Sequence, residues 1–283
     1  MDNLTLTIII VAIIIIILLF YLLFEKYKDH KQNKTIVTAF FDIGRDKWNR
    51  HVRTLSEYLN DAVKNLSLDE NMVIFIEEPL ANFVKEHRKD FPNKTHIIVI
   101  KKENLPKYYL RNKIKEIMDS PEFKKDLADP TIPEMWNPDY VLIMWSKTDL
   151  IEKAIDLDPF RSTHFCWLDF GMRDYSQTIK FPKIFNDKIK FLCRSMPEES
   201  DLDRIKMCKS HINRFAGTFF TGRKDYMLDF IKEVDKEIER CIKLNVVDND
   251  QTIFSNVFLQ NKNKFDLYFG DWHHLITRYS DKF

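Results

Sequence analysis

The chain has almost no charge excess. Its 44 lysines and arginines face 43 aspartates and glutamates, a net charge of +1. That balance gives no global case for nucleic acid as a partner. Its four cysteines, Cys166, Cys193, Cys208 and Cys241, show neither C-x-x-C spacing nor any other metal pattern. They fit buried thiols in a reducing compartment or two disulfides in an oxidising one. No internal repeat and no long low-complexity linker divides the chain. Glycine is scarce, with five in 283 residues, so each position that needs one carries information.

The N-terminus also lacks charge. Nothing charged stands between Asp2 and Glu25, and residues 4–24 are apolar apart from Thr5 and Thr7. A run of that length spans about 30 Å as a helix, the thickness of a bilayer's hydrocarbon core. A cleaved signal peptide needs a positive start, a shorter apolar stretch and a small-residue cleavage site. None of these is present, so the expectation is an uncleaved single-pass anchor with a short stalk over residues 1–34, and the lipid bilayer as a partner. Lys26, Lys28, Lys31 and Lys34 follow the run, offset by Glu25 and Asp29, and favour a cytoplasmic flank. Four N-x-[ST] triplets at Asn3, Asn33, Asn65 and Asn93 suit a lumenal one. Compartment and orientation stay open.

Residues 35–283 suffice for one large domain with a sizeable core. Apolar periodicity there alternates between two and 3.6 residues. It predicts strands over 35–41, 72–76, 96–100, 164–168, 189–193, 215–220 and 265–269. Helices are predicted from Trp48 to Leu66 and over 80–87, 109–118, 140–155, 226–244 and 252–259. The fold class is therefore α/β: a sheet with parallel strands and helices on both faces. Ligands of such sheets bind beyond the carboxyl ends of strands.

Gly44, Gly171, Gly217, Gly222 and Gly270 each lie at or near the end of a predicted strand, most beside a charge. Five segments around them hold the candidate chemistry. In Asp42-Ile43-Gly44-Arg45 a carboxylate can take a ribose hydroxyl or base N–H, and an arginine can fork onto phosphate. In Trp167-Leu168-Asp169-Phe170-Gly171 the strand-end carboxylate suits a hard cation. The small residues of the Gly217–Gly222 segment would let a sugar lie against the backbone. Asp248-Asn249-Asp250-Gln251 precedes a helix, and one of its carboxylates could be a cap. In Gly270-Asp271-Trp272-His273-His274 the histidines could supply a metal ligand, and Trp272 could stack on a sugar or base.

The segments TAFFDIGR, MWSK, DPFRS, WLDFG, GTFFTG, DNDQT and YFGDW resemble, in order and approximate spacing, those of the HtrL/YibB family over about residues 35–272. That family is similar to GT-A glycosyltransferases, in which a nucleotide-binding sheet carries an acidic metal motif, usually DxD. The resemblance implies a GT-A-like sheet and transfer of a sugar from a nucleotide-sugar donor to a glycan or glycoconjugate acceptor. It places Asp42, Gly44 and Arg45 by the nucleotide, Lys147 at the donor phosphates, and Asp169 in the acidic motif. Asp250 becomes the base or sugar-orienting carboxylate, and His273 a further metal ligand. Gly171 stands where the second aspartate of DxD would be. A divalent cation, Mn²⁺ or Mg²⁺, would then rest on Asp169 with help from Asp271 or His273, or not bind at all. The competing expectation is a non-catalytic, membrane-tethered binding protein on a degenerate transferase fold.

Overall fold

The computed structural model describes residues 5, 10–21, 33–50, 53–173 and 188–270. The chain divides into two units, Met1–Asn33 and Lys34–Phe283. In the first, residues 10–21 are helical and their large apolar side chains are exposed. The ends of the expected 4–24 span lie outside the described residues. Among the described residues no helix is long and apolar enough to cross a membrane.

The second unit is a mixed α/β domain around one seven-stranded sheet. Its strands are β1 (Lys34–Phe40), β2 (Asn71–Ile76), β3 (Thr95–Val99), β4 (His164–Leu168), β5 (Ile189–Cys193), β6 (Phe215–Arg223) and β7 (Phe265–Phe269). The main helices are α1 (Leu55–Leu66), α2 (Ala81–His87), α3 (Arg111–Asp119), α4 (Pro138–Leu157), α5 (Arg204–Ser210), α6 (Lys224–Lys243) and α7 (Asp250–Gln260). Side chains alternate across each strand. On β1, Ile36 faces a layer with α1 and α2, and Val37 faces the layer holding α3, α4, α6 and α7. Phenylalanine fills much of the second layer. Phe191 stacks on Phe220 with ring centroids 5.0 Å apart, and Phe215, Phe230, Phe254 and Phe265 surround it.

The strand order is β3-β2-β1-β4-β6-β5-β7. From β1 the sheet grows one way to β2 and β3, all parallel, and the other way to β4, also parallel to β1. Such a reversal of order opens a crevice at the carboxyl ends of the two central strands. The expected parallel strands are joined by one that is not: β6 runs antiparallel to both β4 and β5. Its link from β5 contains α5, which the periodicity did not announce, and both ends of that link meet on one edge, where Arg194 N–H donates to Arg214 O at 2.7 Å. A link that returns on the same edge needs no crossover and delivers an antiparallel neighbour. β6 therefore starts where β4 ends.

The helix expected from Trp48 begins only at Leu55. Thr54 and Glu57 form a capping box: the Thr54 hydroxyl accepts from Glu57 N–H, and the Glu57 carboxylate accepts from Thr54 N–H at 2.7 Å. This pair fixes the first turn, and a short 3₁₀ turn, Arg45–Lys47, precedes it. All four cysteines are buried free thiols. Asn65 is buried too, which removes one of the four glycosylation triplets.

Candidate active site

Just past the ends of β1 and β4 lies a cavity of about 370 Å³. Asp42, Arg45, Lys147, Asp169, Gly217 and Asp250 all line it. They come from the loop after β1, from α4, from the end of β4, from the start of β6 and from the start of α7. Residues up to 208 positions apart in the chain are thereby brought to the crevice where the strand order reverses between β1 and β4.

After β1, the Asp42 carboxylate accepts from Gly44 N–H at 2.8 Å, and Asp42 N–H donates to Glu77 Oε2 at 2.9 Å. Gly44 has φ of +71°, the left-handed region in which a side chain is strained. It serves the turn and is not itself part of the cavity wall. The turn aims Arg45 at three aromatic faces: its guanidinium carbon is 4.9 Å from the Trp48 ring, 5.3 Å from Tyr58 and 5.2 Å from Tyr140. Rings hold a cation without neutralising it, so Arg45 keeps its charge available in the cavity.

After β4, Asp169 is anchored on one side. Its Oδ1 accepts from Trp167 Nε1–H at 2.6 Å and lies 3.0 Å from Lys147 Nζ. Trp167 is two residues earlier, on the same face of the strand. The Asp169 side chain is 31% exposed, and Oδ2 has no protein partner among the described residues. Gly171 lines the cavity at a crowded point. A methyl there would meet Tyr58 Cδ1 at 2.6 Å, with Arg53 Nη2 at 3.0 Å. The loop is latched from α1, where Asn65 Nδ2 donates to Phe170 O at 2.9 Å and to Met172 O at 3.2 Å. Arg53 lies 3.8 Å from the centroid of the Tyr58 ring and donates to the Gly171 carbonyl and to Asp61.

Lys147 is the centre of the cluster. It is 2% exposed. Its Nζ donates to Gly217 O at 2.8 Å and lies 2.8 Å from Asp250 Oδ2 and 3.0 Å from Asp169 Oδ1. Three donors thus face three oxygens. Burial pulls the Lys147 pKa down, but Asp169 and Asp250 outweigh it and the pKa is raised. Burial pushes Asp250 up to about 6 in spite of Lys147. At neutral pH the lysine and Asp250 are therefore both charged. The expectation that Lys147 presents its ammonium to donor phosphates does not fit this arrangement, because the ammonium is consumed by its own neighbours.

Asp250 heads α7 but is not its cap. Asn249 caps the helix, its Oδ1 accepting from Gln251 N–H at 3.0 Å. Both Asp250 oxygens are shut off from solvent, whereas the Asp169 carboxylate is partly exposed. Asp248, two residues earlier, accepts from Asn249 N–H at 2.8 Å and from Thr252 Oγ1 at 2.6 Å. Burial pushes its pKa up to about 8.

Gly222 is a correction. It pairs with Phe165 near the start of β4, at the opposite end of the sheet from the cavity. It is glycine because the Ile189 side chain occupies the space of a Cβ. Asp271, Trp272 and His273 lie outside the described residues. Among the described residues no three His, Cys, Asp or Glu side chains gather to hold a metal ion. Asp169 and Asp250, the acidic pair nearest to forming such a set, already share the Lys147 ammonium. With that ammonium seated between them, the described carboxylates do not form a site for a divalent cation.

Arg53, Tyr58, Tyr140 and Trp167 line the cavity or support it and were not anticipated. Trp167 had a local signal, its i, i+2 spacing from Asp169. Arg53 and Tyr58 had none, since they reach Gly171 from more than a hundred positions away.

Residues 32–280 match the family model HtrL_YibB, described as a bacterial protein of unknown function. The chain belongs to the HtrL_YibB family. Protein HtrL of Escherichia coli (strain K12) is 26% identical to it over 266 residues, which are 87% of this chain and 92% of that protein. Among solved structures, the apo form of mouse xyloside xylosyltransferase 1 is similar at a TM-score of 0.43 and 10% identity, covering 83% of this chain and 84% of that one. A likeness at that score decides neither fold nor activity. Within this HtrL_YibB-family chain, the case for function rests on the cavity.

Proposed function

We propose that this chain is a membrane-anchored, GT-A-like glycosyltransferase that moves a sugar from a nucleotide-sugar donor to a hydroxyl of a glycan or glycoconjugate. The observation that carries the reading is the pairing, in one switch-point cavity, of a partly exposed carboxylate fixed on its inner side, Asp169, with an arginine, Arg45, that the described residues hold by aromatic faces alone. Sugar transfer from a nucleotide donor needs both: a cation for the leaving diphosphate and a carboxylate for the acceptor's hydroxyl proton.

In this mechanism Arg45 forks onto the diphosphate and stabilises the charge that grows as it leaves. Asp42, beside it, takes a hydroxyl of the ribose or an N–H of the base. The acceptor oxygen bonds to the anomeric carbon while the bond from that carbon to the diphosphate oxygen breaks. The electron pair leaves with the nucleotide diphosphate, and the acceptor's proton passes to Asp169 Oδ2. Trp167 and Lys147 hold Asp169 in the orientation this transfer needs. Asp250 acts behind Lys147 as a positioning residue. The apolar side chains exposed on the helix at residues 10–21 support the anchor.

The test is incubation of the purified full chain with a panel of uridine, guanosine and cytidine nucleotide sugars and a mixture of glycan acceptors, with products read by mass spectrometry. Transfer, or slow donor hydrolysis, that Asp169→Asn sharply reduces is expected. No turnover across the panel, together with nucleotide binding, would favour the non-catalytic binding protein.

A further inference from the structure

The cluster around Lys147 has the form of a cation site whose cation is part of the chain. Gly217 O, Asp250 Oδ2 and Asp169 Oδ1 all lie within 3.0 Å of one nitrogen. These are hard oxygen donors, two anionic and one a backbone carbonyl, of the kind that hold Mg²⁺ or Mn²⁺. Such a set brought together empty would be costly, since two carboxylates at short range repel and Asp250 is fully buried. A positive centre is required there, and α4 delivers one.

The delivery is built in at several levels. Lys147 lies in the middle of α4, the twenty-residue helix Pro138–Leu157, flanked by the buried residues Trp145, Ser146, Thr148 and Asp149. Its stem is therefore fixed before its head reaches the cavity. Trp167 donates to the same Asp169 oxygen that meets the ammonium, which pins that carboxylate toward Lys147. On the far side, Gly217 lets the Asp250 carboxylate come so close that a methyl at 217 would lie 2.6 Å from Oδ2.

We infer that the Lys147 ammonium occupies the seat of a divalent cation between Asp169 and Asp250, so that this chain binds its nucleotide diphosphate without a metal ion. The inference rests on the transferase reading for its ligand, though not for the seat itself. Arg45 carries the phosphate charge, and Lys147 works as a positioning residue that holds Asp169. Replacing Lys147 by a neutral side chain of similar length removes the resident cation and leaves the three oxygens facing one another. Lys147→Met should therefore acquire a site for Mn²⁺ between these oxygens.

The experiment has two readouts on the full chain purified in detergent. Electron paramagnetic resonance of free Mn²⁺ reports metal binding with no nucleotide present. Calorimetry with uridine and guanosine diphosphate, in EDTA and in Mn²⁺, reports nucleotide binding. The expected result is an undiminished free Mn²⁺ signal with the natural chain, a diminished one with Lys147→Met, and the same diphosphate affinity in EDTA as in Mn²⁺. Mn²⁺ bound by the natural chain and lost in Asp169→Asn would overturn the inference, as would a well-folded Lys147→Met that leaves the signal untouched. If Lys147→Met does not fold, the natural chain's two readouts decide. Diphosphate binding that appears only with Mn²⁺ overturns the inference and leaves the transferase reading standing. Failure of both nucleotides to bind under either condition counts against the transferase reading, and the resonance measurement then decides the cation seat alone.

Discussion

Gly217 and Asp250 share a space that only glycine leaves open. A methyl on residue 217 would lie 2.6 Å from Asp250 Oδ2 and 3.1 Å from its Cγ. Gly217→Ala should push the Asp250 carboxylate away from Lys147 and loosen the ammonium's hold on Asp169. Overpacking of this kind typically costs about 1–3 kcal/mol. Chemical denaturation should show that loss, with activity reduced further than the remaining folded fraction explains. Gly222→Ala, crowded by Ile189 at the other end of the sheet, should lower stability while leaving the turnover of the folded fraction unchanged.

Asp169→Asn keeps the shape of the side chain and removes its charge. Rate should fall by about 10²–10³, the loss typical of one electrostatic contribution to a transition state. Melting temperature should shift little, because the side chain is partly exposed and Trp167 can still donate to the amide oxygen. Equal turnover by the two proteins at matched stability would place the chemistry elsewhere.

Arg45 and Lys147 should part company on mutation. Arg45→Ala removes a charged hydrogen-bonding group from the cavity, a loss of about 1.5–3 kcal/mol, or roughly ten- to a hundredfold in diphosphate affinity. Its effect on folding should be small. Lys147→Ala leaves Asp250 buried beside no positive charge, and breaking a buried pair from one side costs about 3–5 kcal/mol. Urea unfolding together with calorimetry separates the two patterns.

Stability should fall as pH rises across the neutral range. Asp248 and Asp250 are held at about 8 and about 6 in the folded chain, chiefly by burial. Both folded values exceed that of an unfolded aspartate, about 3.9. Between the unfolded and folded values the native state holds a proton that the unfolded chain has lost. Their contribution is therefore fully present below about pH 4 and is lost as pH rises through about 6 for Asp250 and about 8 for Asp248. Each group gives a slope of up to about 1.4 kcal/mol per pH unit in its window. Asp248→Asn should flatten the upper part of that fall, which urea titrations at a series of pH values would measure.

A chain lacking residues 1–32 should remain folded and soluble. β1 begins at Lys34, which stands opposite His164 and pairs with Glu70 at 2.8 Å. A cut after Lys34 would remove those contacts, so the two truncations should differ in melting temperature. Aggregation of the longer one, with loss of cooperative unfolding, would contradict the division at residue 33.

Strand positions were legible because each strand is a short β-branched or aromatic run. β4, β5 and β7 fall where the periodicity places them. The direction of β6 was not legible, since hydrophobic patterning has no sign along the chain. Asp42, Arg45, Lys147, Asp169, Gly217 and Asp250 were visible as charges or glycines near element ends, and they do meet. Their pairing was hidden. Nothing local to Lys147 says that its head reaches β6 and α7. The reason for glycine at 171 was hidden too, because the residue that crowds it, Tyr58, arrives from a distant helix.

The hydrogen bond from Trp167 to Asp169 gives the cavity an optical reporter of its own. The indole is 3% exposed, it is bonded to the partly exposed Asp169 carboxylate, and the Lys147 ammonium lies 5.7 Å from its ring. Indole emission depends on nearby charge and on what its N–H contacts. Any molecule that draws Asp169 outward should change the colour or yield of Trp167. The difference between the natural chain and Trp167→Phe would isolate that signal from the other four tryptophans. Ligands could then be screened against the unlabelled protein before the donor sugar is known.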